Sequence, residues 1–368
     1  MNRLLFVLLF SAFLSPALSQ DGARRNFHIP DIAGFYTLKG DFHTHTVFSD
    51  GLVWPTLRIL EAWQEGLDVI AVTDHIEYRP FRDDVNQDLN RSYEIALPKA
   101  DQLGILLVKG AEITRSMPPG HSNALFLNDI SKLDTETWSD AFTEAGKQGA
   151  FIFWNHPGWK AQQPDTTIWF PEHDKLLVDG RLHGIEVVNY KEYYPKAFAW
   201  ALEKDLTILA NSDIHGSIHS EYHSGPSDMR PFTLVFARER NLKGVKDALM
   251  DKRTAAYYNG NVYGRAEWLK KLFDACTGQE VNAAASGNGK RSIFLTNYSG
   301  IGFYLVPGEE ARRAGLIYDI ELPPYSTIGL TLKVPGQNES PASAILLEYS
   351  VTNMFTSPES CLKTSLRF

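Results

Sequence analysis

His43 and His45 stand one residue apart in the stretch DFHTHTVFSDG, between Asp41 and Asp50. Residues i and i+2 on an extended strand point the same way, so this spacing lets two imidazoles grip one ion. The same residue types recur along the chain. Asp74 and His75 lie in VTDH, Glu112 in GAEI, His121 ahead of SNALFL, Asn155 and His156 in WNHP, and Asp213 and His215 in NSDIHG. A single His-x-His pair fits buried, hydrogen-bonded histidines better than a metal site. Six imidazoles and several carboxylates placed alike in successive segments point to a shared metal centre. With nitrogen and oxygen donors and no thiolate, the ions expected are Zn, Mn or Fe.

Something must bring these residues together. From Phe35 to about Val235 short runs rich in Val, Ile and Leu alternate with amphipathic stretches, as in β-α units around a buried parallel sheet. The expected strands are TLKGDFH, LDVIAVTD, GILLVKGAEI, HSNALFL, AFIFWNH, GIEVVN and LTILANSD; WPTLRILEAWQEG, DTETWSDAFTEAGKQG and PKAFAWALEKD have helical spacing. This pattern predicts an α/β fold built as a closed or nearly closed barrel, with an open doubly wound sheet as the alternative. The candidate residues follow the strands' C-terminal ends, except that His121 opens the fourth. In a parallel barrel those ends share one face, where residues distant in sequence converge.

A helical segment around Arg265 to Ala275 is followed by the small-residue linker VNAAASGNGK and five alternating stretches bounded by Pro and Gly. These predict a small antiparallel β-sandwich over residues 279–368. All 11 histidines lie between His28 and His223, so imidazole chemistry belongs to the preceding α/β part, 20–278. Cys276 and Cys361 are the 2 cysteines, and either a disulfide between them or two free thiols is compatible with the sequence.

Taken in order, DFHTH…SDG, VTDH, GAEI, NHP and NSDIHG resemble the PHP superfamily, named for polymerase and histidinol phosphatase domains. The resemblance covers roughly Leu38 to Arg253. It implies a distorted (β/α)7 barrel, a site for two or three divalent metal ions, and hydrolysis of phosphate esters. By the same resemblance His43, His45, Glu112 and Asp213 hold one ion. Glu112 bridges to a second held by His121 and His156, and Asp50, His75 and His215 hold a third. Asp50 departs from the pattern, since many trinuclear members have a histidine after the first motif. Asp74 is expected to orient an imidazole or the nucleophile, and with Asp213 and His215 it completes the expected catalytic set. Three divalent ions bring about +6, and three carboxylates with a bridging hydroxide return about −4, which leaves a cleft suited to a phosphate oxyanion. Attack on phosphorus by a metal-activated hydroxide would follow.

Arg115, Arg79 and Arg82, soon after Glu112 and His75, are candidates to contact the phosphate of a small phosphorylated substrate, together with Asn155; Trp154, Trp159 and Tyr190 are candidates to stack on a base. A net charge of −8 argues against a basic nucleic-acid-binding surface. The first residues, MNRLLFVLLFSAFLSPALSQ, read as a signal peptide cleaved after Ser19, because the apolar run falls short of the ~20 residues that span a bilayer. The protein is therefore expected to be secreted or periplasmic, with no stable membrane span. The alternatives to a phosphoesterase are an amidohydrolase-type metal-dependent hydrolase and a non-catalytic metal-containing binding module.

Overall fold

The computed structural model describes residues 22–222, 229–282, 286, 290–316, 318–333 and 345–368. The expected signal segment and His223 lie outside them. All the expected α/β strands form: β1 (Tyr36–Asp41), β2 (Val69–Val72), β3 (Leu106–Ile113), β4 (Ser122–Leu125), β5 (Phe151–Trp154), β6 (Gly184–Asn189) and, after a two-residue β7 (Glu192–Tyr193), β8 (Thr207–Asn211). Between them lie α1 (Pro55–Gln64), α2 (Arg91–Leu103), α3 (Trp138–Lys147), α4 (Pro171–Val178) and α5 (Pro195–Glu203). β2 and β5 are buried throughout, which explains their unbroken apolar sequences VIAV and FIFW.

The pairing is not the uniformly parallel ring expected. β1, β2 and β3 are parallel, and so are β5, β6 and β8, but β4 runs antiparallel to both β3 and β5. That reversal has a direct consequence for the site. Ser122, at the start of β4, pairs with both Ile113 and Trp154, so the N-terminal end of β4 lies beside the C-terminal ends of its neighbours. His121, which opens its strand, thus arrives on the face reached by residues that close theirs.

Beyond the site, α6 (Ile218–Glu221) leads to β9 (Phe232–Ala237), α7 (Leu242–Met250), β10 (Thr254–Tyr258) and β11 (Asn261–Gly264). β9 pairs antiparallel with β1 and with β10. β1 and β8 share no ladder among the described residues. They meet just past their ends, through a bridge between Thr44 and Ile214 and bonds from Asp213 N–H to the His43 carbonyl (2.9 Å) and His45 N–H to the Ile214 carbonyl (3.1 Å). The first and last motifs are therefore locked together by main chain.

α8 (Ala266–Cys276) delivers the chain to the C-terminal β region. There β12 (Thr277–Val281), β13 (Lys290–Asn297) and β16 (Thr327–Lys333) form one sheet, and β15 (Ile320–Leu322), β14 (Phe303–Pro307), β17 (Leu346–Ser357) and β18 (Ser360–Arg367) line up in the other; α9 (Glu309–Arg313) links β14 to β15. β12 crosses the boundary expected after residue 278. The second sheet is continuous with the large one, because β17 pairs in parallel with β11 at Val262–Met354 and Tyr263–Phe355. One apolar cluster runs from Ile59 and Phe236 through Phe273 to Phe303 and Tyr349, so the two parts share a core. Cys276 and Cys361 are both free thiols, and burial pushes that of Cys276 up to about 12. Among the described residues no helix is long and apolar enough to cross a membrane.

Candidate metal centre

Glu112, at the end of β3 and fully buried, lies at the middle of the site. Its Oε2 is 2.9 Å from His75 Nδ1, 3.2 Å from His43 Nε2 and 3.3 Å from His45 Nε2, while Oε1 is 2.8 Å from His121 Nδ1 and 3.7 Å from His156 Nε2. Asp213 Oδ1 lies 3.1 and 3.0 Å from Nε2 of His43 and His45. On the outer side Asp50 Oδ1 is 3.2 Å from His215 Nε2 and 3.4 Å from His75 Nε2. Three overlapping groups have their ligand atoms within 4.8 Å of one another: His43, His45 and Glu112; His75, Glu112 and His121; and His45, Asp50, His75 and His215.

These contacts have the character of ligands converging on an ion. Asp50 Oδ1 and His121 Nδ1 are buried and make no hydrogen bond, although each has a polar atom close by. Short nitrogen–oxygen approaches without hydrogen-bond alignment arise when both lone pairs aim at a common point. The donor set fits divalent ions, and a buried polar atom without a partner is otherwise costly.

Charge tells the same story. Burial opposes the ionised forms, yet the imidazoles of His43 and His45 hold the Asp213 carboxyl well below the usual range, His75, His43 and His121 do so for Glu112, and His215 and His75 for Asp50. Burial also works against the His75 imidazolium, but Glu112 and Asp50 raise it to about 10. For His43, the carboxylates of Asp213, Glu186 and Glu112 together overcome burial and raise the pKa well above the imidazole range. His45 goes the other way: burial, then repulsion from His215 and His75, bring it down to about 3. The carboxylates thus demand positive charge. Divalent ions would supply it, displacing protons from the imidazoles as they bind.

The backbone presents the ligands at some cost. His156 (φ +28°) and Asp213 (φ +50°) both adopt left-handed conformations just past β5 and β8, a strain that active sites commonly hold. Gly51 has a simpler reason to be glycine. A Cβ there would stand 2.6 Å from both the His45 carbonyl carbon and the Thr46 nitrogen.

Several expected roles change. The Asp74 carboxylate accepts bonds from the Thr46 N–H (2.7 Å), the Thr46 hydroxyl and the Ser49 hydroxyl (2.9 Å), so it pins the turn after β1 and reaches the His45 imidazole only through Ser49, whose Oγ is 3.4 Å from His45 Nδ1. Asn155 is fully buried and donates to Glu112 Oε1 (3.0 Å) and Asn123 Oδ1 (2.9 Å), which aims the carboxylate and leaves nothing for substrate. Arg115 is committed to Glu77 (2.7 Å) and the carbonyls of Thr135 and Glu136; Arg79 bonds the Gln87 carbonyl and approaches Asp134. Neither of these arginines, nor Arg82, lines the cavity. Trp154 is buried and stacks on His173 at 3.8 Å, whereas Trp159 and Tyr190 do line the cavity.

Two residues of this machinery escape a motif search. Glu186, buried in β6, accepts from His43 Nδ1 (3.0 Å), Asn211 Nδ2 (2.9 Å) and the His156 N–H (2.6 Å). It fixes the tautomer that leaves His43 Nε2 free for an ion. His215 is set likewise, its Nδ1–H donating to the Asp213 carbonyl at 2.8 Å. Arg58, from α1, is the second, and it ties the His45 carbonyl to those of Ile214, His215 and Gly216. Signals for both exist: a lone acid inside the apolar run GIEVVN, and an arginine on the apolar stripe of a helix. Glu186→Gln should weaken divalent-ion affinity roughly 10- to 100-fold, as lost outer partners of metal-binding histidines do. Titration against a competing chelator measures this.

A cavity of about 650 Å³ opens above the cluster, lined at its floor by Asp50, His75, Glu112, His121, Asp213 and His215. A family model described as an Ig-like domain matches residues 279–367. No curated protein matches the chain. Among solved structures, the chain is similar to a two-domain protein from Bacteroides vulgatus containing a predicted PHP-like metal-dependent phosphoesterase, with 42% identity, 94% of this chain and 99% of that one covered, and a TM-score of 0.88. A Bifidobacterium adolescentis structure named for metal-dependent phosphoesterase activity shares 18% identity over 58% of this chain and 96% of its own, at a TM-score of 0.40. With the B. vulgatus likeness extending over nearly the whole of both chains, this chain belongs to the two-domain PHP-like metal-dependent phosphoesterase family.

Proposed function

We propose that this protein hydrolyses phosphate mono- or diesters of small organophosphates, nucleotides being one source, at a centre of two or three divalent ions (Zn, Mn or Fe). The observation that carries the reading is Glu112, a buried carboxylate shared by two of three overlapping nitrogen and oxygen clusters on the floor of one cavity. His43, His45, Glu112 and Asp213 would hold one ion, Glu112 with His121 and His156 a second, and Asp50, His75 and His215 a third. Bound ions supply Lewis acidity toward a phosphoryl oxygen and lower the pKa of a water molecule towards neutrality. The chain's own part is positioning. Glu186 and the Asp213 carbonyl keep Nε2 of His43 and His215 aimed inward, Asn155 aims Glu112, and Asp74 holds the turn that carries Asp50.

On this reading residues 1–19 are a signal peptide, the protein acts outside the cytoplasm, and its role is release of phosphate from scavenged esters. The test is turnover of a nitrophenyl phosphate monoester, a bis-ester and a nitrophenyl carboxylic ester by protein whose metal content is known. Phosphorus esters should be cleaved and the carboxylic ester spared. Cleavage of the carboxylic ester alone by fully loaded protein would establish the amidohydrolase-type reading instead.

A further inference from the structure

The part of the cavity beyond the ligands is acidic and aromatic. Tyr78, Trp159, Tyr190, Glu192, Tyr194 and Glu221 face it, and among the described residues no lysine or arginine does. Glu192 lies in β7, where its Oε2 accepts from the Tyr194 hydroxyl at 2.9 Å. Glu221 closes α6, where its Oε1 accepts from the Gly216 N–H at 3.0 Å. The carboxylates therefore come from separate elements, each with a bond that fixes its position, and neither belongs to a metal-ligand group. Lys191 stands behind Glu221, donating to its carbonyl at 2.6 Å and lying over the rings of Tyr190 and Tyr222 without itself lining the cavity, and Arg115 is held by Glu77.

We propose that Glu192 and Glu221 act as a charge filter on the leaving-group side. They admit phosphate esters whose organic part is uncharged or cationic and reject those that carry a second anionic group. The inference rests on the phosphoesterase reading. A phosphate at the floor meets the positive charge of bound ions, but a second anion bound toward the mouth meets two fixed carboxylates between aromatic walls. Glu192 is exposed and Glu221 half-buried, so solvent screens part of this field, but like charges brought together still suppress the wrong ligand. An uncharged hydroxyl finds acceptors in the same carboxylates, and an ammonium finds both carboxylates and ring faces.

The experiment uses metal-loaded full-length protein and two closely matched esters, glycerol 3-phosphate and 3-phosphoglycerate, which differ by a hydroxymethyl against a carboxylate. kcat/KM should favour the uncharged ester by about tenfold for each glutamate, and Glu192→Gln with Glu221→Gln should together bring the two esters to near parity. Calorimetric binding of 2-aminoethylphosphonate and 3-phosphonopropionate gives a readout independent of turnover, with the same preference expected and the same loss in the double variant. Equal binding of the two phosphonates by the wild type, or a preference that the double variant retains, overturns the filter. Loss of nitrophenyl phosphate turnover with the phosphonate preference intact would instead count against the phosphoesterase reading and leave the filter standing.

Discussion

Glu112→Gln should empty the site and abolish turnover together. The substitution keeps the size and planarity of the side chain but replaces one carboxylate oxygen with an NH₂ that cannot ligate. Whichever oxygen is replaced, at least one ligand group breaks, because Oε2 faces His43, His45 and His75 while Oε1 faces His121 and His156. The lost charge matters as much. Glu112 is fully buried among imidazoles that hold it well below the usual carboxyl range, and without it two divalent ions would be left poorly compensated. Lewis acidity and water activation contribute several kcal/mol to such reactions, and a loss of about 4 kcal/mol is roughly 10³-fold in rate. Elemental analysis of the purified variant beside nitrophenyl phosphate kinetics makes the check. Wild-type metal content in a variant with wild-type kcat/KM would remove Glu112 from the centre of the site. His43→Ala and Asp213→Ala should behave alike, since both flank the same point.

Most of the residues that cluster at the candidate centre were legible in the sequence because they stand where a local pattern ends. An apolar strand signals its own termination, and a histidine or acid at that end, from Glu112 just before the close of β3 to His45 and His215 four residues past β1 and β8, lies on the face where such ends gather. His121 breaks that rule and was legible only as the opening of a strand. Its place at the site depends on β4 running antiparallel, which follows from pairing with β3 and β5 rather than from its own residues. The arginines show the converse. Arg115 is three residues from Glu112, but nearness in sequence does not say which way a long side chain turns, and the Glu77 carboxylate decides it. Nor could the sequence of β17 reveal that its far end adds to β11, since an alternating strand carries no label for its partner. Asp41 is a further case. It opens the most informative stretch of the chain, yet its carboxylate faces Ser212 and Arg230 and joins the ends of β1 and β8 instead of binding metal.

Arg58→Ala should be the most destabilising single change near the site that touches no ligand. The guanidinium is fully buried, and although burial lowers its pKa to about 10, it remains a cation at neutral pH. Nε and Nη2 reach the His45 carbonyl at 3.1 and 2.9 Å, Nη2 also reaches those of Ile214, His215 and Gly216, and Nη1 meets Glu61 Oε2 at 2.6 Å. Glu61 in turn accepts the Ile218 N–H at 2.9 Å. Alanine would leave a buried carboxylate unpaired and take from the His45 and Gly216 carbonyls the donor they have in Arg58, whereas those of Ile214 and His215 keep the N–H groups of His45 and Leu52; breaking such a pair costs about 3–5 kcal/mol. Denaturant unfolding of the metal-free protein measures that loss without interference from ion binding. Arg58→Lys separates charge from geometry. A single ammonium can pair Glu61 or reach the carbonyls, but it cannot fork to both sets. The lysine variant should therefore recover part of the stability while still holding His45 and His215 loosely, which a chelator competition would register as weaker ion binding. Full recovery of both stability and affinity by lysine would mean that charge alone, not the forked reach of Arg58, clamps the His45 and Ile214–Gly216 segments together.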